Sequence, residues 1–338
     1  MTRTLLIAPQ WIGDAVMTEP LLRRLQARGE RTTVAALPWV APVYRAMPQV
    51  ERVIEFPFAH GGLQWSARRA MARELHGQFE RAVVCPNSLK SALIPWWAGI
   101  ADRVGYHGES RWGLLSTRLA NPSKTDRPPM VAFYGALSGE DSFATEQPQL
   151  TLAPTEVAAA LAPLKLARGA YAVLVPGAEY GPAKRWPAAH FAALAHQWVQ
   201  RSGQAIVLLG SAKDAPVCAD IAQAVLASGA GVCLDLSGRI GLREAMALVS
   251  AARAVVSNDS GMMHVAAAFA VPQVAIFGSS SPRHTPPLSA HARVVWLKDD
   301  PDYRPALDCA PCFERVCPLG HTRCLQDVSP QRVLNLLP

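Results

Sequence analysis

The sequence predicts an α/β chain with two parallel sheets and crossover helices, arranged as two halves that face each other. Three observations carry this. Short apolar runs alternate with amphipathic stretches from the N-terminus onward, the pattern of βαβ units. A stretch over residues 122–155, punctuated by Pro122, Pro128, Pro129, Pro148 and Pro154, interrupts the alternation, which then starts again. The chain has 338 residues, long for one domain and comfortable for two. The halves are expected at 1–155 and 156–338, with the ligand at the carboxyl ends of the strands.

In the first half, strands are expected at 4–8, 32–37, 52–55, 81–85 and 103–106. The apolar spacing of Val16, Leu21, Leu22 and Leu25 predicts a helix over 14–27. A basic helix over 65–76 carries Arg68, Arg69 and Arg73, another follows at 88–97 despite Pro95, and 131–137 is helical. In the second half, strands are expected at 171–175, 205–209, 232–236, 254–256 and 273–277. Helices are expected from Trp186 or Pro187 to 201, from 215 to 227, over 241–251 and over 262–269; a proline suits a first helical turn.

The stretch 253–269, RAVVSNDSGMMHVAAAF, organises the second half. A buried strand ends in a polar, Gly-containing turn, and an Ala-rich helix follows. That order points the free N–H groups of a helix start at whatever lies above the strand end, which favours phosphate. Asp259 or Ser260 could cap the helix, Gly261 clears space, and His264 follows one turn in. An ordinary capped helix with a core-facing histidine is the rival reading. The loop 176–186, PGAEYGPAKRW, also follows a strand end and brings Lys184 and Arg185, cations suited to a leaving diphosphate. Asp14, in the loop after the first strand, is placed to take a proton from a hydroxyl or to cap a helix. Asp214 suits ribose hydroxyls or, equally, a cap.

Composition narrows the classes. Half the residues are hydrophobic and the formal charge is +7, so an anionic partner is expected. Lys and Arg are scattered, and no nucleic-acid-binding signature appears, so nucleic acid is not expected. GxGxxG and GxxxxGK[ST] are both absent, which argues against dinucleotide oxidoreductases and P-loop NTPases. The N-terminal apolar run ends at Pro9, too short for a signal peptide, and no segment reaches transmembrane length. A cytoplasmic protein is expected, with peripheral contact to the membrane.

The segments WIGDAVMTEPLLRRL, PNSLKSALIPWWAGI, PGAEYGPAKRWP, LLGSAKD, NDSGMMHVAAA and FGSSSPRHTPPL together resemble glycosyltransferase family 9, the ADP-heptose:lipopolysaccharide heptosyltransferases. The match runs in order through most of the chain. It implies a GT-B fold, an N-terminal acceptor domain, a C-terminal domain for ADP-heptose, and a cleft between them. It implies inverting transfer of heptose to the first heptose of the lipopolysaccharide inner core, with no cofactor required for catalysis. Asp14 then matches a general base and Lys184 a lysine near the donor phosphates. Asp214 matches an acid at the ribose, and Asp259, Ser260, Gly261 and His264 match the D-[ST]-G-x-x-H motif. Arg68, Arg69, Arg73 and Lys90 correspond loosely to the acceptor side. The acceptor would be lipid A-linked core oligosaccharide at the inner face of the cytoplasmic membrane. A different core acceptor, or a sensor that binds the nucleotide sugar without turnover, stays open.

The tail 309–324 departs from part of the family. Cys309, Cys312, Cys317 and Cys324, spaced C-x2-C-x4-C-x6-C, allow a structural zinc site. Four free thiols in a loop are the alternative.

Overall fold

The computed structural model describes residues 1–58, 62–123, 127–139, 146–229 and 231–338. The chain divides into two compact units, Met1–Thr151 and Leu152–Pro338.

The first unit is a parallel sheet of β1 (Arg3–Ile7), β2 (Arg31–Ala36), β3 (Val50–Glu55), β4 (Arg81–Val84), β5 (Asp102–Tyr106) and β6 (Thr117–Leu119), in the order β3-β2-β1-β4-β5-β6. Its helices are α1 (Ile12–Met17), α2 (Glu19–Ala27), α3 (Ala41–Tyr44), α4 (Trp65–Leu75), α5 (Leu89–Trp97) and α6 (Met130–Gly135). Leu5, Ile7, Ala82 and Val84 pack against Met71, Ala72 and Leu75 of α4 and Ala92 and Ile94 of α5. Leu6, Val34 and Val83 alternate with them along the strands and are equally buried. The helix expected over 14–27 is broken at Thr18, and Pro20 stands in the first turn of the second piece.

The second unit repeats the design. Its strands are β7 (Tyr171–Val175), β8 (Ala205–Leu208), β9 (Cys233–Asp235), β10 (Ala254–Asn258), β11 (Gln273–Ile276) and β12 (Ala292–Val295), in the order β12-β11-β10-β7-β8-β9. The helices are α7 (Pro154–Leu161), α8 (Ala188–Ser202), α9 (Ala215–Ala227), α10 (Leu242–Ser250), α11 (Gly261–Ala268), α12 (Arg323–Gln326) and α13 (Pro330–Leu334). Leu174, Leu208, Val256 and Ile276 pack with Trp186, Phe191, Trp198, Ile221 and Leu334. The Pro-rich stretch over 122–155 falls partly outside the described residues, and its end, expected as the link, is structured: Pro154 opens α7. The edge strand β12 lacks a sequence signature because Arg293 and Val294 are exposed and prolines crowd the approach to it.

In each sheet the strand order reverses once, between β1 and β4 in the first unit and between β7 and β10 in the second. Crossovers on either side of such a reversal run in opposite directions, so loops diverge at the carboxyl ends of the strands, the usual place for a ligand in open α/β sheets. Asp14 follows β1, and Lys90 follows β4. The loop 176–186 follows β7, and Asp259–Gly261 follow β10.

Leu6 lies fully buried in a central strand. Leu6→Ala is expected to cost about 2–5 kcal/mol, seen as a lower urea midpoint at unchanged slope. A loss below about 1 kcal/mol would show that this face of β1 is not tightly packed.

Candidate active site

Residues at the second reversal form one polar cluster. Asn258, the last residue of β10, is fully buried. Its Oδ1 accepts the Trp186 backbone N–H at 2.9 Å, and its Nδ2 donates to the Pro176 carbonyl at 2.7 Å. One amide therefore holds both ends of the loop 176–186. Trp186, itself buried, also donates its indole N–H to the Val328 carbonyl. Lys184 reaches back to Asp259, Nζ to Oδ2 at 2.5 Å, and the Ser280 hydroxyl donates to the same oxygen at 2.5 Å. A desolvated, charge-assisted contact of this kind fixes both partners more firmly than a surface pair. His264 is buried beside them. Burial pushes its imidazole down to about 4, although Asp259 pulls the other way and Lys184 adds to the depression. It is therefore neutral at physiological pH.

Neither Asp259 nor Ser260 caps α11. Ser260 has extended backbone at the cap position and no side-chain cap bond, and Asp259 is engaged by Lys184 and Ser280. Among the described residues, the buried hydroxyls of Ser260 and Ser279 have no hydrogen-bond partner. Uncapped N–H groups, orphaned hydroxyls and a lysine next to them are the ingredients of an anion site. Ser279 and Ser280 were missed as site residues. The motif FGSSSP was their signal, but only the fold brings the β11 end beside Asp259.

Asp214 and Arg185 are committed within the loops. The Asp214 carboxylate accepts from the backbone N–H and hydroxyl of Ser211, at 2.9 and 2.7 Å, and closes a capping box. Its other oxygen lies 3.7 Å from Arg185 Nη2, and a Cβ on Gly177 would meet the Asp214 carboxyl carbon at 2.4 Å. Arg185 folds over its own loop onto the Ala178 carbonyl.

The cysteine segment leans on the same loop. The Ala183 N–H donates to the Arg315 carbonyl, Phe313 N–H to the Ser279 carbonyl, and the Tyr180 hydroxyl to the Phe313 carbonyl. Gly181, at φ 153°, allows this approach: a Cβ there would stand 2.5 Å from the Arg315 oxygen. The expected zinc site is not supported. Cys309, Cys312, Cys317 and Cys324 border one small pocket. Yet among the described residues no group of three or more His, Cys, Asp or Glu is arranged to hold a metal ion. Cys309 and Cys324 pack as small apolar groups against the core. Burial pushes the Cys317 thiol up, and N–H groups of Thr322, Leu319, Gly320 and His321 more than offset this, leaving it below its usual range.

At the first reversal, Asp14 is half-buried in the first turn of α1. Tyr134 donates its hydroxyl to Asp14 Oδ1 at 3.0 Å. Arg68 does not face solvent. It is buried over the Phe58 ring, donates to the carbonyls of Leu63 and Lys90, and has its pKa lowered by desolvation. Arg68 falls on the inward stripe of α4 with Met71, Ala72 and Leu75, whereas Arg69 and Arg73 are exposed. Lys90 is partly buried at the start of α5.

The profile of glycosyltransferase family 9 (heptosyltransferase) matches residues 68–322. The chain belongs to this family. Lipooligosaccharide heptosyltransferase 2 of Haemophilus influenzae is 39% identical over 307 residues, covering 87% of this chain and 88% of the relative. Lipopolysaccharide heptosyltransferase 2 of Escherichia coli K12 is 39% identical over 349 residues, covering 99% and 97%. The solved structure of E. coli ADP-heptose lps heptosyltransferase II superposes with a TM-score of 0.84 at 36% identity, covering 99% of this chain and 97% of that one. As a family 9 glycosyltransferase, the chain has the α/β architecture of the GT-B type expected from its sequence. Among the described residues, no helix is long and apolar enough to cross a membrane.

Two outcomes test the cluster. Asn258→Ala leaves the Trp186 N–H and Pro176 carbonyl without their partner, and a loss of about 1–3 kcal/mol in chemical unfolding is expected. An unchanged midpoint would mean that the loop is held elsewhere. His264 titrates near 6.5 when unfolded and near 4 when folded, so the unfolded chain takes the proton first as pH falls. Its stabilising contribution is complete above pH 6.5 and is lost as pH falls towards 4. The loss amounts to about 3 kcal/mol. His264→Gln is expected to flatten stability against pH across this window, and a slope identical to that of the wild type would refute the assignment.

Proposed function

We propose that this chain transfers heptose from ADP-L-glycero-D-manno-heptose to the first heptose of the lipopolysaccharide inner core, with inversion at the anomeric carbon. The observation that carries the reading is similarity, over nearly the whole chain, to relatives named heptosyltransferase 2. The clusters at the two strand-order reversals supply groups of the kind the chemistry needs.

The first unit would bind the acceptor and the second the donor. Asp14 would take the proton from an acceptor hydroxyl as its oxygen forms a bond to the anomeric carbon. The bond from that carbon to the diphosphate breaks on the opposite face, and ADP leaves with the electron pair. The transition state resembles an oxocarbenium ion, as in glycoside hydrolysis. Negative charge then grows on the diphosphate. Lys184 and the N–H groups at the start of α11 suit that charge, with Ser260 and Ser279 as further hydrogen-bond partners. Lys184 would exchange part of its contact with Asp259 for the phosphate, so Asp259 and Ser280 hold it poised. Gly261 leaves room for the diphosphate. Asp214 keeps one oxygen turned towards Arg185 and Gly177, where a ribose hydroxyl could be received.

On the acceptor side, exposed Arg69 and Arg73, with Lys90, suit the phosphates of the lipid-linked core. Arg68 supports them from below. Trp65 and Trp96, each nearly half exposed, both lie against Trp97, whose ring Arg69 covers at 5.4 Å, and suit a membrane interface. On this reading the enzyme works at the cytoplasmic face of the inner membrane as a peripheral protein.

The test is ADP release from ADP-heptose, with lipopolysaccharide carrying one core heptose as acceptor. Asp14→Ala is expected to lower kcat/KM by about 10²–10⁴ with donor binding unchanged. Lys184→Ala is expected to lower kcat by about 10²–10³. Turnover only with an acceptor lacking heptose would move the reading to a different core acceptor. Donor binding without turnover on any acceptor would make the chain a sensor.

A further inference from the structure

Asp14 sits in the first turn of a short helix. α1 has six residues, and no side chain caps its start. Proton abstraction depends on where the oxygens of a carboxylate point. The hydrogen bond from Tyr134 answers that need. Tyr134 is 4% exposed, on α6, a helix remote in sequence from α1. Its ring lies against Phe133, which stacks on Tyr106 with centroids 3.8 Å apart. Tyr106 in turn donates its hydroxyl to the Phe133 carbonyl at 2.7 Å. The phenol is thus held by packing, at the foot of the half-buried carboxylate.

We propose that Tyr134 is the positioning residue of the general base: its hydroxyl anchors Asp14 Oδ1 and directs the carboxylate towards the acceptor hydroxyl. The inference rests on the reading of Asp14 as base. Burial, with Asp14 and Cys85 nearby, raises the Tyr134 pKa well above its ordinary value, so the phenol keeps its proton and serves as a donor. It takes no part in the proton transfer itself. A carboxylate offers about four lone-pair sites, so the bond to Tyr134 leaves acceptor capacity for the substrate proton. Removing this bond would disfavour the charged carboxylate relative to the wild type. Nearby Tyr44 is equally buried, but its hydroxyl meets Thr18 Oγ1 at 3.1 Å. It provides a matched control.

The test uses the full chain, with ADP-heptose and single-heptose lipopolysaccharide. Tyr134→Phe keeps the ring and removes the donor. It is expected to lower kcat about ten- to a hundredfold, with donor KM unchanged. The acidic limb of the pH profile of kcat/KM is expected to move to higher pH, with the thermal midpoint close to wild type. Tyr44→Phe should leave the acidic limb in place. Wild-type kcat and pH profile in Tyr134→Phe, while Asp14→Asn is inactive, would overturn the inference and leave the base intact. A fall in kcat with an unmoved limb and a lowered thermal midpoint would make Tyr134 merely structural and also overturn it. Full activity in Asp14→Asn would instead refute the base, and the inference with it.

Discussion

A parallel sheet cannot be closed by hairpins; each strand must be reached by a crossover. When crossovers run outward in both directions from a central pair, the loops at that pair diverge and leave a crevice. Both units obey this constraint at corresponding places, between β1 and β4 and between β7 and β10. The proposed chemistry follows from it. Asp14 and the segment leading to Lys90 leave one pair of strand ends, while the Lys184 loop and Asp259 leave the other.

At the second pair, the structure is held by buried polar contacts rather than by shape alone. Asn258 satisfies a donor and an acceptor from the two ends of one loop, so its loss would strand both. Lys184 and Asp259 balance each other, with Ser280 sharing the carboxylate. On the proposed reading, an incoming diphosphate would meet a lysine already oriented, hydroxyls that lack a partner among the described residues and an uncapped helix start. Preorganised charge of this kind does not have to reorient as the leaving group forms. The cysteine segment contributes by backbone contact with this loop, through Arg315 and Phe313. Its thiols have the spacing of a metal site without the arrangement of one.

The first unit shows how far residue type can mislead. Arg68, Arg69 and Arg73 read alike in the chain. On α4 they point in different directions around the helix axis, and Arg68 falls on the stripe that faces the core. A buried guanidinium must find carbonyls, and it finds those of Leu63 and Lys90. It supports the loop ends, while its neighbours face outward.

Much was legible in the chain itself. Apolar runs such as 171–175 and 254–256 are long enough and sharply enough bounded to read as buried strands, and Pro and Gly mark where they turn. The motifs around Asp14, Lys184 and Asp259 stand at strand ends in the sequence as they do in the structure. Local pattern decides these, because strand, turn and helix are properties of short segments. Local pattern could not pair Asn258 with Pro176 and Trp186, Ser280 with Asp259, or Tyr134 with Asp14. Those contacts join residues 21 to 120 positions apart. They exist only once the sheets have set the strand order, because hydrogen bonding between distant segments depends on which loops the topology makes neighbours.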